Sequence, residues 1–75
     1  MQELVDYIAK SLVDDPSQVE VTQIRRGGSV TLELEVAQED KGRVIGRNGR
    51  VANAMRNLLR VMASRQGKRV NLEIV

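Results

Sequence analysis

The 75 residues contain no cysteine, no histidine, no tryptophan and no phenylalanine, with one proline and one tyrosine. Without cysteine no disulfide can staple the chain, and without cysteine or histidine the usual soft metal sites cannot be assembled. The expectation is therefore no metal and no cofactor. A nucleophile–base pair is equally hard to build, because Ser11, Ser17, Ser29 and Ser64 have no partner pattern. The chain is not expected to be an enzyme. With Tyr7 as the only aromatic, the core must be aliphatic, and a sheet that stacks bases on aromatic rings is excluded. Tyr7 itself reads as a packer at the edge of the core rather than a stacking platform. No apolar run approaches the ~18–20 residues that span a bilayer. The opening Met1-Gln2-Glu3-Leu4-Val5-Asp6 carries acids where a secretory leader would carry bases. The expected location is the cytoplasm.

Acidic residues are also missing from most of the second half. Met1 to Asp40 holds three cations, Lys10, Arg25 and Arg26, against nine acids. Lys41 to Leu72 holds nine cations and no acid, and Glu73 follows. The formal net charge of +2 thus conceals a basic half suited to a polyanion. A solvated basic face, or one matched to an acidic protein, is the plainer reading of the same asymmetry.

Periodicity supplies the elements. Leu4, Val5, Ile8, Ala9 and Leu12 mark an amphipathic helix that ends at Asp14-Asp15-Pro16-Ser17. Val19-Glu20-Val21 begins a strand whose phase breaks at Gln23-Ile24, as a bulge would do. Gly27-Gly28 signals a two-residue turn. Val30 to Val36 alternates strictly, with Thr31, Glu33 and Glu35 facing water. A short helix is expected at about residues 39–45, with Glu39 and Asp40 at the positive end of its dipole and Gly42 weakening it by about 1 kcal/mol. A longer helix is expected at about residues 50–64. Gln66-Gly67-Lys68 is a loop, and Val70, Leu72 and Ile74 alternate in a last strand. The order α-β-β-α-α-β predicts one α+β domain over residues 1–75, with three helices on one face of a three-stranded sheet.

Between the second and third helices lies Val44-Ile45-Gly46-Arg47-Asn48-Gly49-Arg50-Val51. Two glycines three apart permit positive φ and close approach of another backbone. The helix that follows presents free N–H groups and a dipole to an anion. Arg47 and Arg50 can fork onto phosphate oxygens, and Asn48 can assist or face solvent. The absence of a G-K-[S/T] ending argues against nucleotide hydrolysis.

This stretch resembles the core V-I-G-x-x-G pattern of the KH domain, and the element order is similar to the type II KH fold. More narrowly, Asp40 to Arg50 resembles the KhpA family of small stand-alone bacterial KH RNA-binding proteins, across the whole chain. The resemblance implies a GXXG loop at Gly46, Arg47, Asn48 and Gly49 that clamps single-stranded RNA. It implies Ile45 and Val51 beside the groove, and a short basic variable loop at Gln66 to Arg69, with Lys68 and Arg69 as further contacts. It also implies an RNA chaperone or post-transcriptional regulator, a homodimer, and pairing with a larger KH protein of the Jag/EloR type. Ala52 stands where the eukaryotic pattern has a bulky aliphatic, and Val51 takes that part here.

Some readings stay open at this level. Arg56 and Arg60 on the long helix are a solvated face or an extension of the strand's path, and their angular position favours the solvated face. The apolar arc of that helix spans about 200°. Either the first helix covers the excess, or Ala54, Leu58 and Val61 form a partner surface. A protein-interaction or dimerisation adaptor with incidental RNA binding is the main alternative function. Duplex-DNA recognition is more remote, because the helix after the loop opens with little base-reading chemistry beyond Arg50 and Asn53.

Overall fold

The computed structural model describes residues 1–75. Helix α1, Gln2–Leu12, buries Val5 and Ala9, one turn apart, and carries a Lys10–Asp6 ion pair at 3.2 Å on its outer side. Val13 turns extended, and Pro16–Gln18 form a single 3-10 turn leading to strand β1, Glu20–Arg26. Gly27, at φ +56°, takes the first corner of the turn into β2, Ser29–Glu35. A 3-10 turn at Gln38–Asp40 runs into helix α2, Lys41–Ile45, and a further turn at Arg47–Gly49 leads into helix α3, Arg50–Arg65. Strand β3, Arg69–Ile74, completes the chain. The α+β architecture and its element order are those expected from the sequence.

The sheet is mixed. β2 is central, antiparallel to β1 and parallel to β3. A parallel return needs a crossover, and α2, the loop and α3 provide it. The inward residues of β2, Val30, Leu32 and Leu34, are at most 2% exposed. They meet Val5 and Ala9 of α1, Val44 of α2, Met55 and Leu59 of α3 and Leu72 of β3 in one aliphatic cluster.

Three expectations need correction. The phase change at Gln23-Ile24 is not a bulge, for the register runs unbroken from Glu20↔Glu35 to Arg26↔Ser29. Gln23 therefore takes an inner-face position on an edge strand, where the amide, oriented by its partners, donates to Gln2 Oε1 at 3.1 Å and accepts from Arg25. Ile24 falls on the open face, 36% exposed. Tyr7 does not pack at the core edge and is 71% exposed. It lies about 200° around the helix from both Val5 and Ala9, which places it on the outer side of α1.

Asp40 is the third. Its carboxylate does not merely complement the α2 dipole. The residue is 2% exposed, and the side chain accepts the backbone N–H groups of Asp14 and Asp15 at 3.2 and 3.1 Å. Arg43 approaches the same carboxylate at 3.7 Å and reaches Asp14 at 3.1 Å. The end of α1 is thus tied to the start of α2 across 25 residues of chain.

Candidate nucleic-acid interface

The loop begins where α2 stops. Gly46 donates its N–H to Gly42 O at 2.8 Å, closing the helix, then swings to φ +77°, ψ 172°. That region is open essentially to glycine alone. A Cβ on Gly46 would lie 2.5 Å from Val51 Cγ2 and 2.9 Å from Val51 N. The protein itself therefore requires glycine here, because Val51 of α3 fills the space. Gly49 donates to Gly46 O at 3.1 Å and is left-handed, at φ +74°. A Cβ there would meet only Asn53 Nδ2, at 3.8 Å. The two glycines thus differ: Gly46 is held from inside, while Gly49 faces open space.

Asn48 lies between them at φ +57°, ψ 26°, a conformation that asparagine tolerates better than most residues. Its side chain is exposed, as are those of Arg47 and Arg50. Neither arginine pairs with a carboxylate; the chain's ion pairs lie at Lys10 and Arg43. No side chain caps α3, whose first N–H groups point out of a helix of 16 residues. Partial positive charge from the helix start and two unpaired arginines thus belong to the same turn. Ile45, 39% exposed, flanks it, whereas Val51 is half-buried against Gly46 and the core.

A polar line continues from the loop. The Asn53 amide near Gly49 accepts, at Oδ1, from Arg56 Nη1 at 3.2 Å. Arg56 Nε and Nη2 donate together to the Leu72 carbonyl at 3.3 and 3.2 Å. Arg56 is half-buried, contrary to the solvated-face reading. With Leu59, Val70, Asn71, Leu72 and Glu73 it lines a groove of about 250 Å³ between α3 and β3. Arg60, exposed and hydrogen-bonded to Asn57 at 3.3 Å, lies farther along the same groove. Lys68 and Arg69 line the adjoining hollow of about 550 Å³ beyond it. They stand past the other end of α3, about 24 Å from the loop, rather than beside it. On a helical wheel the arc of Arg56 and Arg60 is centred away from Arg50, which favours the solvated-face reading and hides the alignment with Gly49. Counted from Gly49, residues 53, 56 and 60 fall on one face at three- and four-residue steps.

On α3, Ala52, Met55, Leu59 and Ala63 are buried, but Leu58 is 51% and Val61 56% exposed. Helix α1 does not cover the excess of the apolar arc. No helix is long and apolar enough to cross a membrane.

Comparison with known proteins matches this geometry to a family. The family described as KhpA/KhpB, KH domain, matches residues 2–74. The chain is 51% identical over 75 residues, the whole of both chains, to the RNA-binding protein KhpA of Caldanaerobacter subterraneus subsp. tengcongensis. It is 47% identical, again over the whole of both, to the RNA-binding protein KhpA of Clostridium acetobutylicum. Against the protein of that name from Borreliella burgdorferi it is 47% identical over 73 residues, covering 97% of this chain and 89% of the relative. No solved structure matches. A mixed three-stranded sheet, an arginine-bearing glycine loop between two helices and full-length similarity agree, and the chain belongs to the KhpA/KhpB family of KH domains.

Proposed function

We propose that this chain is a cytoplasmic, non-catalytic RNA-binding protein that holds single-stranded RNA by its Gly46–Gly49 loop. The observation that carries the reading is the convergence at that loop of exposed, unpaired Arg47 and Arg50 on the uncapped start of α3. Arg47 and Arg50 take phosphate oxygens in forked pairs. Asn48 donates to sugar or phosphate. Gly49 leaves the outer surface of the turn clear for the strand, and Gly46 keeps the turn in shape. Ile45 supplies an apolar flank, Val51 supports the loop from beneath, and Lys68 and Arg69 catch the strand's far end. Contacts of this kind are sequence-tolerant and salt-sensitive, which suits an RNA chaperone or post-transcriptional regulator.

The exposed Ala54, Leu58 and Val61 support assembly alongside RNA binding rather than instead of it. A second copy meeting this patch would bury it and offer two loops to one RNA, raising the effective concentration of the second. A larger KH protein of the Jag/EloR type is the competing occupant. Fluorescence anisotropy of short single-stranded RNA at two salt concentrations tests the clamp. Wild type should bind, and a folded Arg47→Asp/Asn48→Asp variant should not. Equal binding by both would assign the loop a structural part and return the adaptor reading to the front.

A further inference from the structure

Asn48 is the one asparagine of the chain that is followed by glycine. Its side chain is exposed and makes no hydrogen bond, whereas Asn53 and Asn57 accept at Oδ1 from Arg56 and Arg60. An asparagine–glycine pair can modify itself. The backbone nitrogen of the glycine adds to the asparagine Cγ, the side-chain amino group leaves as ammonia with that nitrogen's proton, and a cyclic imide forms. Water then opens the imide on one side or the other. The products are aspartate, or isoaspartate, in which the backbone runs through Cγ. A Cβ on the following residue crowds the ring closure, and Gly49 has none. Ala54, Leu58 and Leu72, which follow the other three asparagines, carry that obstacle inside α3 and β3.

The closed turn holds the reaction back. Ring closure requires rotation of Asn48 away from ψ 26° and release of the Gly49 N–H from Gly46 O, which it meets at 3.1 Å. Opening an exposed turn of this size is a local fluctuation, far cheaper than unfolding. Once the turn is open, its charges favour the chemistry. The attacking nitrogen must lose its proton, and the attacked carbonyl becomes an oxyanion. Unpaired Arg47 and Arg50 and the uncapped start of α3 stabilise both negative charges. The product then stands in the middle of the basic loop. A carboxylate between Arg47 and Arg50 neutralises a guanidinium and repels phosphate. Isoaspartate also lengthens the backbone inside a turn that runs only from Gly46 to Gly49.

From this we infer that Asn48 is a self-modification site: its conversion to aspartate or isoaspartate switches the loop off toward RNA, and bound RNA protects it by holding the turn shut. The effect on RNA rests on the clamp reading given above; the chemistry does not. The test keeps isotope-labelled protein in neutral buffer for days, with and without saturating single-stranded oligouridine renewed each day. Without RNA, the intact mass should rise by the difference between asparagine and aspartate. The side-chain amide resonances of Asn48 should fade several-fold faster than those of Asn53, Asn57 and Asn71, and RNA should slow that loss several-fold. Asn48→Gln, whose longer side chain closes the ring far less readily, should keep its mass. Aged protein, separated by ion exchange and folded by circular dichroism, should bind RNA about tenfold or more weakly in anisotropy, as should fresh Asn48→Asp. An intact Asn48, equal loss at all four asparagines, a rate indifferent to RNA, or aged protein that binds like fresh would each overturn the inference and leave the clamp standing. If fresh wild type binds no RNA, the clamp itself fails, and the switch falls with it whatever the mass shows.

Discussion

Replacing either loop glycine by alanine makes the same chemical change in two different settings, and the outcomes should separate. At Gly46 the new methyl enters space already held by Val51. It would stand 2.5 Å from Cγ2, 2.9 Å from Cβ and 2.9 Å from the backbone N. Rotating the valine moves only the first of these, and a valine in a helix has one strongly preferred rotamer. The backbone at φ +77°, ψ 172° adds its own cost. Strain of about 1–3 kcal/mol from the backbone and about 1–3 kcal/mol from overpacking gives roughly 2–6 kcal/mol in all. A 75-residue domain has roughly 4–11 kcal/mol to lose. Gly46→Ala should therefore give up a large part of that margin. At Gly49 the methyl meets one side-chain atom at 3.8 Å, an ordinary contact. The left-handed backbone costs about 1–2 kcal/mol, partly offset by about 0.4–1 kcal/mol from a less flexible unfolded chain. Gly49→Ala should lose about 1 kcal/mol. Urea melts followed by circular dichroism read both, and with a slope near 1 kcal/mol per molar the midpoints should differ by about 1 M or more. Equal losses at the two sites, or a Gly46→Ala protein within about 1 kcal/mol of wild type, would refute the assignment of Val51 as the reason for the first glycine. Any loss of RNA affinity in folded Gly49→Ala is then a property of the ligand surface, not of stability.

Other perturbations follow from the same geometry. Asp40→Ala strands two part-buried backbone N–H groups and should cost about 2–4 kcal/mol in a chemical melt; a loss below about 1 kcal/mol would mean that water replaces the carboxylate. Leu58→Glu/Val61→Glu should leave the melting temperature nearly unchanged, since both residues are more than half exposed, while light scattering at micromolar concentration reports monomer. A wild type that is already monomeric would remove the homodimer. Arg47→Gln should weaken RNA binding uniformly across sequences and lower the slope of log K against log salt by about 0.7, one phosphate contact on a single strand. An unchanged slope would place Arg47 off the backbone path.

Much of this molecule could be read in one dimension. Alternation along Val30 to Val36 and the i, i+4 run through Val5 and Ala9 declare which side is apolar, and a residue's own period is enough for that. Gly27-Gly28, Pro16 and the Gly46–Gly49 turn declare where the chain must bend, because backbone freedom belongs to the residue itself. The basic half after Asp40 was visible by counting. What counting misses is pairing between distant residues. Gln23 interrupts the strand pattern without interrupting the strand, because Gln2 and Arg25 receive its amide. Arg56 appears solvent-facing on a helical wheel until β3 is laid beside it and Leu72 offers a carbonyl. Tyr7 and Leu58 are apolar by type, and only the placement of the neighbouring helices leaves them uncovered.

The amino-acid sequence by itself determined the elements, their order, the family and the position of the loop, since these depend on local conformational preference and on periodicity. The tertiary structure decided the rest. It made β3 parallel to β2, it turned Asp40 from a helix-start acid into the tie between α1 and α2, and it set the two glycines apart. It also led the polar line from Gly49 through Asn53 and Arg56 to the sheet edge. Each depends on atoms far apart in sequence meeting at hydrogen-bond or van der Waals distance, and such contacts exist only once the core has packed.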